Sequence, residues 1–335
     1  MDRRRLCEAL RGRRSVALSV DGQPPNMPSV SIIIPAFNRT KFLRLAIESA
    51  FAQTYADWEM IVADDGSDEE TRQYLRSLAD PKVRIVWLAH SGNPSLVRNA
   101  AAAVASGRYL AFLDSDDEWA PEKLEKQLAA LHDRPQSRWS YTACRHVDEN
   151  GELIPKKRLS ATPAPEGWIF EQLLTLKIGI AMPTVIAERG LFGEVGGFDE
   201  RQRFGEFHDL CLRLALQGEV VVVREPLSSV RTHDEHYSSD QIANEKGWLQ
   251  LYQKMAGIAE QPRLRAHCAR MRAETSLKLA AAHANLGDYR AACAALAHAV
   301  SFSWPYPSWW WGALKRVIRP IVPDVLAALH RRFYK

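Results

Sequence analysis

Asp114, Asp116 and Asp117, within the run Asp114-Ser115-Asp116-Asp117, follow directly on the apolar stretch Tyr109-Leu110-Ala111-Phe112-Leu113. That many carboxylates so close together cannot all stay ionised without a compensating cation. In extended backbone, side chains two apart leave the same face, so Asp114 and Asp116 can both turn towards one divalent ion. Hard oxygen ligands select Mg²⁺ or Mn²⁺, with the shell completed by phosphate oxygens of a substrate. The competing reading is an acidic turn ahead of the helix that begins near Pro121. These few residues alone do not decide between the two.

The elements that position this loop are written in the hydrophobic periodicity. Val30–Pro35 reads as a buried strand, and residues 41–53 carry a helical apolar stripe through Phe42, Leu43, Leu45, Ala46, Ile47, Ala50 and Phe51. Trp58–Ala63 is a second strand, followed by Asp64-Asp65-Gly66-Ser67, a helix from about Glu69 to Ala79 and a third strand, Val83–Trp87. A turn at His90–Pro94 and a helix to about Ala105 lead into the strand Tyr109–Leu113. Strands alternating with helices predict βαβ units, hence an α/β fold with a mostly parallel sheet flanked by helices. Ligands of such sheets bind beyond the carboxyl ends of the strands. Three of these strands end in polar or special residues at that edge: Pro35-Ala36-Phe37-Asn38, Asp64-Asp65-Gly66-Ser67 and Asp114–Asp117.

Further on, Pro121 opens an amphipathic helix over Glu122–Leu131, and residues 139–235 read as short strands alternating with loops. That stretch also contains Gly196-Gly197-Phe198-Asp199 and a helical run, Leu210–Leu216. From about Glu245 to Ser301 the chain is Ala- and Leu-rich helix, ended by Pro305-Tyr306-Pro307-Ser308-Trp309-Trp310-Trp311. The organisation expected is a basic extension over 1–28, an α/β domain over 29–240, a helical region over 241–303 and a Trp-rich basic amphipathic tail over 304–335. Residues 274–301 resemble one tetratricopeptide-like hairpin centred on Gly287-Asp288-Tyr289, although an ordinary helical pair reads the same way.

Composition narrows the classes. Hydrophobic residues make up 46% and charged residues 25%, the profile of a soluble globular protein. Cys7, Cys144, Cys211, Cys268 and Cys293 show no CxxC spacing, which argues against a disulfide framework or zinc site and fits a reducing compartment. No apolar run reaches membrane-spanning length, and the first residues lack the unbroken apolar core of a secretory signal. The formal net charge is +4, and residues 1–14 and 312–335 carry +4 and +5, which leaves the middle at −5. An acidic body disfavours nucleic acid as its partner, whereas the basic ends suit an anionic membrane surface.

Taken in order, these segments resemble the family 2 glycosyltransferases of the GT-A fold. The resemblance runs from about Val30 to Ser239. It rests on SIIIPAFNR at 31–39, AQTYADWEMIVADDGSDEET at 52–71, GNPSLVRNAA at 92–101, GRYLAFLDSDDEWAPEKLEKQ at 107–127, GGFDE at 196–200 and LRLA at 212–215. It implies an inverting transferase with a nucleotide-sugar donor, a UDP-sugar favoured over a GDP- or dTDP-sugar, and a saccharide or lipid-linked acceptor. Pro35, Ala36 and Asn38 would line the nucleotide pocket and Asp65 would hydrogen-bond the base. Arg98 and Asn99 would lie near the ribose or diphosphate. Asp114 would contact the ribose or the metal's shell, Asp116 would ligate Mg²⁺ or Mn²⁺, and His233, in an Arg-x-His element, would approach the metal or diphosphate. Asp117 would cap the following helix or support Asp116. The setting implied is surface-polysaccharide or glycolipid assembly on the cytoplasmic side. The tail's clustered Trp and six basic residues have the composition of an interfacial membrane helix or of a helix docked on the core with a solvated basic face, and lipid-linked acceptors favour the membrane.

One departure matters. Where such enzymes carry a Glu-Asp pair ahead of a helix, this chain reads Gly205-Glu206-Phe207-His208-Asp209. Phe207 stands where the resemblance expects the catalytic aspartate, and a phenyl ring accepts no proton. Glu206, Asp209 and His208 are the candidate bases; the alternative is a nucleotide-sugar-binding protein that no longer transfers.

Overall fold

A computed structural model describes residues 28–154, 165–232 and 240–303. The expected N-terminal extension, His233 and the Trp-rich tail lie outside the described residues. The chain divides into two compact units, one built from residues up to Arg201 with Glu206–Asp234, the other from Gln202–Gly205 with the chain from Glu235 onward.

The first unit is organised by an eight-stranded sheet. In chain order its strands are β1 (Val30–Ala36), β2 (Trp58–Asp64), β3 (Val83–Trp87), β4 (Tyr109–Phe112), β5 (Glu118–Trp119), β6 (Trp139–Val147), β7 (Ile186–Glu188) and β8 (Val220–Arg231). Across the sheet the order is β3-β2-β1-β4-β7-β6-β8-β5. The first four neighbours are parallel, β7 runs antiparallel to both β4 and β6, and β6 and β8 are parallel. Ile32, Ile33 and Ile34 are all fully buried, because β1 is central and both its faces are covered. Helix α1 (Thr40–Phe51) lays Leu43, Ala46, Ile47 and Ala50 on one face, in a core shared with Met60, Val62 and Leu124. Helices α2 (Glu69–Ser77), α3 (Pro94–Ala103) and α4 (Lys123–Asp133) complete the alternation.

Register then brings the polar strand ends together. Ala36 pairs with Asp64 and Ile33 with Phe112, so the loops after β1, β2 and β4 open on one edge. Gly107 makes the close turn into β4: a Cβ there would lie 2.6 Å from the Ser31 amide nitrogen and 2.7 Å from the Val30 carbonyl carbon.

Residues 139–235 depart from the expectation of short strands. β6 and β8 are 9 and 12 residues long and pair with each other through a register shift at Thr142–Cys144. Arg224-Glu225-Pro226 in the middle of β8 is exposed, which hides the strand from a periodicity reading. Between them come the short helices α5 (Phe170–Leu174) and α6 (Arg189–Glu194), then α7 (Glu206–Gln217).

The second unit is helical: α8 (Gln241–Ile258), α9 (Pro262–Asn285) and α10 (Tyr289–Ser303) pack in succession. Asp240 caps α8 by accepting the Ala243 amide at 3.0 Å, and Gly287 turns the chain between α9 and α10 at φ 77°. Within this unit the buried Gln202 amide donates to the Phe204 and Gly247 carbonyls at 2.7 and 2.6 Å. Among the described residues no helix is long and apolar enough to cross a membrane.

Candidate active site

The acidic loop leaves β4 as a turn in which the Asp117 amide donates to the Asp114 carbonyl at 3.1 Å. Its carboxylates have different surroundings. Arg98 Nη2 donates to Asp114 Oδ1 at 2.6 Å, and Arg39 Nη1 reaches Asp116 Oδ2 at 3.4 Å. Asp117 is buried and accepts the Arg231 amide at 2.8 Å. It does not cap α4, whose cap position is Glu122 with no side-chain cap bond. Arg231, at the end of β8, is the loop's anchor. Its guanidinium donates to the Asp116, Asp148 and Glu149 carbonyls at 3.0, 3.0 and 3.1 Å and pairs with Glu118.

Burial pushes the Asp114 carboxyl above the ordinary aspartate value, with Arg98 pulling it down and Asp116 pushing it up. Burial also pushes Asp117 well up, reinforced by Asp116 and Asp114. Asp114 and Asp116 remain reachable, with side chains 25% and 19% exposed. Two hard oxygen donors in a crowded negative loop fit a dication whose shell is completed by phosphate oxygens. Among the described residues no group of three or more His, Cys, Asp or Glu is arranged to hold a metal by itself.

Arg98 joins this loop to the start of α7. Asn93 caps α3 by accepting the Ser95 amide at 3.1 Å, which fixes the helix on which Arg98 stands. The Arg98 side chain is 8% exposed and lies 5.5 Å over the Phe198 ring. Besides Asp114 it holds Glu206, with Nη1 at 3.4 Å from Oε1. Burial pushes the Glu206 carboxyl above the ordinary glutamate value, while Arg98 draws it down and Asp114 pushes it up. Burial of this kind makes the carboxylate a stronger proton acceptor than a free glutamate.

The other two candidate bases sit differently. Asp209 is fully buried and paired with Arg213, at 2.8 Å from Nε. Arg213 Nη1 in turn donates to the Val195 and Gly197 carbonyls at 2.6 and 2.7 Å. That is the geometry of a brace for the Gly196-Gly197 turn, with the carboxylate closed off from any acceptor. His208 places Nε2 at 3.2 Å from the Leu173 carbonyl, and burial pulls its pKa down, favouring the neutral ring.

At the neighbouring strand ends, Pro35 and Ala36 close β1, and the Ala36 carbonyl accepts the Asp65 amide at 2.8 Å. The Asn38 amide donates to Ser67 Oγ at 2.8 Å, and Asn38 Oδ1 accepts the Asp68 amide at 2.8 Å, zipping the two loops together. Asp65 accepts the Ser91 amide and hydroxyl, both at 2.8 Å, and the Gly92 amide at 2.9 Å, so it organises the 90–92 turn. Asn99 does not face this edge. Its Nδ2 donates to the Phe198 carbonyl at 2.9 Å and Glu200 Oε1 at 3.0 Å, while Oδ1 accepts the Phe198 amide at 3.0 Å. Sequence reasoning passed over Phe37 and His90. Phe37 is 44% exposed and stacks on His90 with centroids 4.2 Å apart, making an aromatic surface beside Asp65. The sole sequence signal was an aromatic residue directly after Pro35-Ala36.

A family model described as Glycosyl transferase family 2 matches residues 31–184, the segment that supplies the β1, β2 and β4 strand ends. Over residues 31–184 the chain is similar to a family 2 glycosyltransferase domain. It is 39% identical over 162 residues to the UDP-Glc:alpha-D-GlcNAc-diphosphoundecaprenol beta-1,3-glucosyltransferase WfgD of Escherichia coli, covering 48% of this chain and 61% of that protein. An uncharacterized glycosyltransferase of Rickettsia felis is 33% identical over 204 residues, 60% of this chain and 33% of its own. The chain therefore spans less than two thirds of these curated relatives. Staphylococcus aureus TarS 1–349 in complex with UDP-GlcNAc shares the fold with a TM-score of 0.64 at 19% identity, over 82% of this chain and 81% of that one. So does the mannosyltransferase PcManGT of Pyrobaculum calidifontis in complex with GDP-Man and Mn²⁺, with a TM-score of 0.56 at 17% identity, over 99% and 94%.

Proposed function

We propose that this domain transfers a sugar from a nucleotide-sugar donor to a saccharide or lipid-linked acceptor, by one displacement with inversion at the anomeric carbon. The observation that carries the reading is Arg98, whose guanidinium spans Asp114 on the acidic loop and Glu206 at the start of α7. A single buried cation thus ties the loop suited to the donor's diphosphate to the carboxylate suited to the acceptor's proton.

Asp116, with Asp114 beside it, would hold Mg²⁺ or Mn²⁺, which as a Lewis acid neutralises the charge developing on the departing diphosphate. The Phe37–His90 stack offers a face to the base, and the ordered 90–92 turn around Asp65 offers polar groups at its edge. Glu206 accepts the proton as the acceptor oxygen bonds to the anomeric carbon and the bond from that carbon to the diphosphate breaks. A UDP-sugar is favoured as donor, with a GDP- or dTDP-sugar the alternative; the acceptor class follows the lipid-linked saccharide named for WfgD. The setting is cell-surface polysaccharide or glycolipid assembly at the inner face of the membrane, with the basic tail from residue 304 in contact with anionic lipid.

Phe207 motivates the second reading, a donor-binding protein without transfer. Thermal shift against a panel of UDP-, GDP- and dTDP-sugars, with and without Mn²⁺, followed by assay of nucleoside diphosphate release, tests both. A Mn²⁺-dependent shift with one donor and release above background supports transfer. A shift with no release under any acceptor supports the second reading, and no shift at all overturns both. Flotation with anionic vesicles, full chain against a chain ending at Phe302, tests the tail; equal recovery of both in the soluble fraction refutes it.

A further inference from the structure

Three guanidiniums surround the acidic loop, and they are not equivalent. Arg98 and Arg231 are 8% and 2% exposed and each is fixed by several partners. Arg39 is 31% exposed and meets Asp116 at 3.4 Å.

The backbone at Arg39 runs against local preference in several ways. Asn38 and Arg39 are consecutive non-glycine residues in the left-handed region, at φ 54° and 59°. Arg39 holds the N-cap position of α1, where Ser, Thr, Asp or Asn would bond the first amides, yet it makes no side-chain cap bond. A cation at a helix N-terminus also opposes the macrodipole. Local rules broken together at one residue mark a site under functional constraint. The strain is held in place by the Asn38 hydrogen bonds to Ser67 and Asp68.

We propose that Arg39 is a displaceable counter-ion for Asp116: it occupies the metal-ligating carboxylate when no dication is bound and turns to the donor's diphosphate when one is. The inference rests on the reading of Asp116 as the metal ligand. Without a dication, Asp116 shares one turn with Asp114 and Asp117, and the Arg39 guanidinium places a positive charge 3.4 Å from its carboxylate. A dication competes for the same oxygen, so binding of the metal alone is weakened by Arg39. With a nucleoside diphosphate present, the displaced guanidinium, backed by the first amides of α1, gains an anionic partner. Arg39 therefore makes metal and donor binding mutually dependent.

The test uses the full chain and Arg39→Asn, which tolerates the left-handed backbone and can cap α1, so its melting temperature is expected not to fall. Mn²⁺ is titrated calorimetrically without nucleotide, and then with whichever of UDP, GDP or dTDP most stabilises the wild type. Arg39→Asn is expected to bind Mn²⁺ alone at least about threefold more tightly, the scale of a partly exposed ion pair. Its Mn²⁺-supported nucleotide affinity is expected to fall at least about threefold. Arg39→Lys keeps the charge and should follow the wild type in the first titration. An Arg39→Asn protein that equals the wild type in both titrations, or binds Mn²⁺ alone more weakly, overturns the role of Arg39. A wild type that binds no Mn²⁺ even with nucleotide overturns the metal reading of Asp116 beneath it.

Discussion

Replacing Arg98 by methionine keeps much of the apolar stem while removing the charge shared by Asp114 and Glu206, at 2.6 and 3.4 Å. Breaking a buried ion pair from one side costs about 3–5 kcal/mol. The pH dependence separates charge from packing. Both carboxyls are already raised by burial, and Arg98 is what pulls each back down. Without it their folded-state values rise further above the unfolded values of about 3.9 and 4.3. A carboxyl that is higher in the folded state binds more protons there, so the penalty opens as pH rises through the unfolded values and is complete above the folded ones. Urea unfolding should therefore show the full deficit near pH 7.5 and a deficit less than about half as large near pH 4. In parallel, the acid limb of donor turnover in Arg98→Met should move up by about 1–3 pH units, the effect of losing a close opposite charge. An equal deficit at both pH values would assign Arg98 to packing on Phe198 instead. An unmoved acid limb would break the link between Arg98 and the proton acceptor.

Asp117→Asn should leave stability within about 1 kcal/mol, since burial already disfavours a charge at this position and an amide oxygen still accepts the Arg231 amide. Arg231→Met should cost about 3–5 kcal/mol by the same denaturant assay, because Glu118 and several loop carbonyls lose their donor. Gly107→Ala should cost about 1–3 kcal/mol or more, read as a lowered melting temperature, because its Cβ meets backbone atoms of Val30 and Ser31.

The first half of the domain was readable because its physics is local. A β-branched run such as Ile32-Ile33-Ile34 marks a strand buried on both faces, and the breaks to Asn38, Asp65 and Asp114 mark the ligand-bearing edge. Asp114 and Asp116 were legible as acidic residues at the end of β4, but the loop they stand on is a turn, not the extended backbone that the spacing assumed. What escaped was long-range. The partners of Arg98 lie 16 and 108 residues away, and those of Asn99 and Asp117 are as distant, so spacing alone could not tell a pocket residue from a brace. Asp209 read as a candidate base for the same reason; its burial against Arg213 exists only once α7 packs on the 195–197 turn. β5 has two residues and takes its structure from β8. β8 carries Arg224-Glu225-Pro226 in its middle, which no period-2 reading accepts as strand.

The central claim is that Glu206, held by Arg98 beside the acidic loop, takes the acceptor's proton while the loop holds the donor. Glu206→Gln is nearly isosteric and leaves Asp114 and Asp116 intact. With the donor found by thermal shift, nucleoside diphosphate release and Mn²⁺-supported nucleotide binding are measured on the same preparation. The predicted result is a loss of turnover of about 10²–10⁴-fold with nucleotide affinity changed less than about twofold. Turnover within a few-fold of the wild type would contradict the assignment of Glu206.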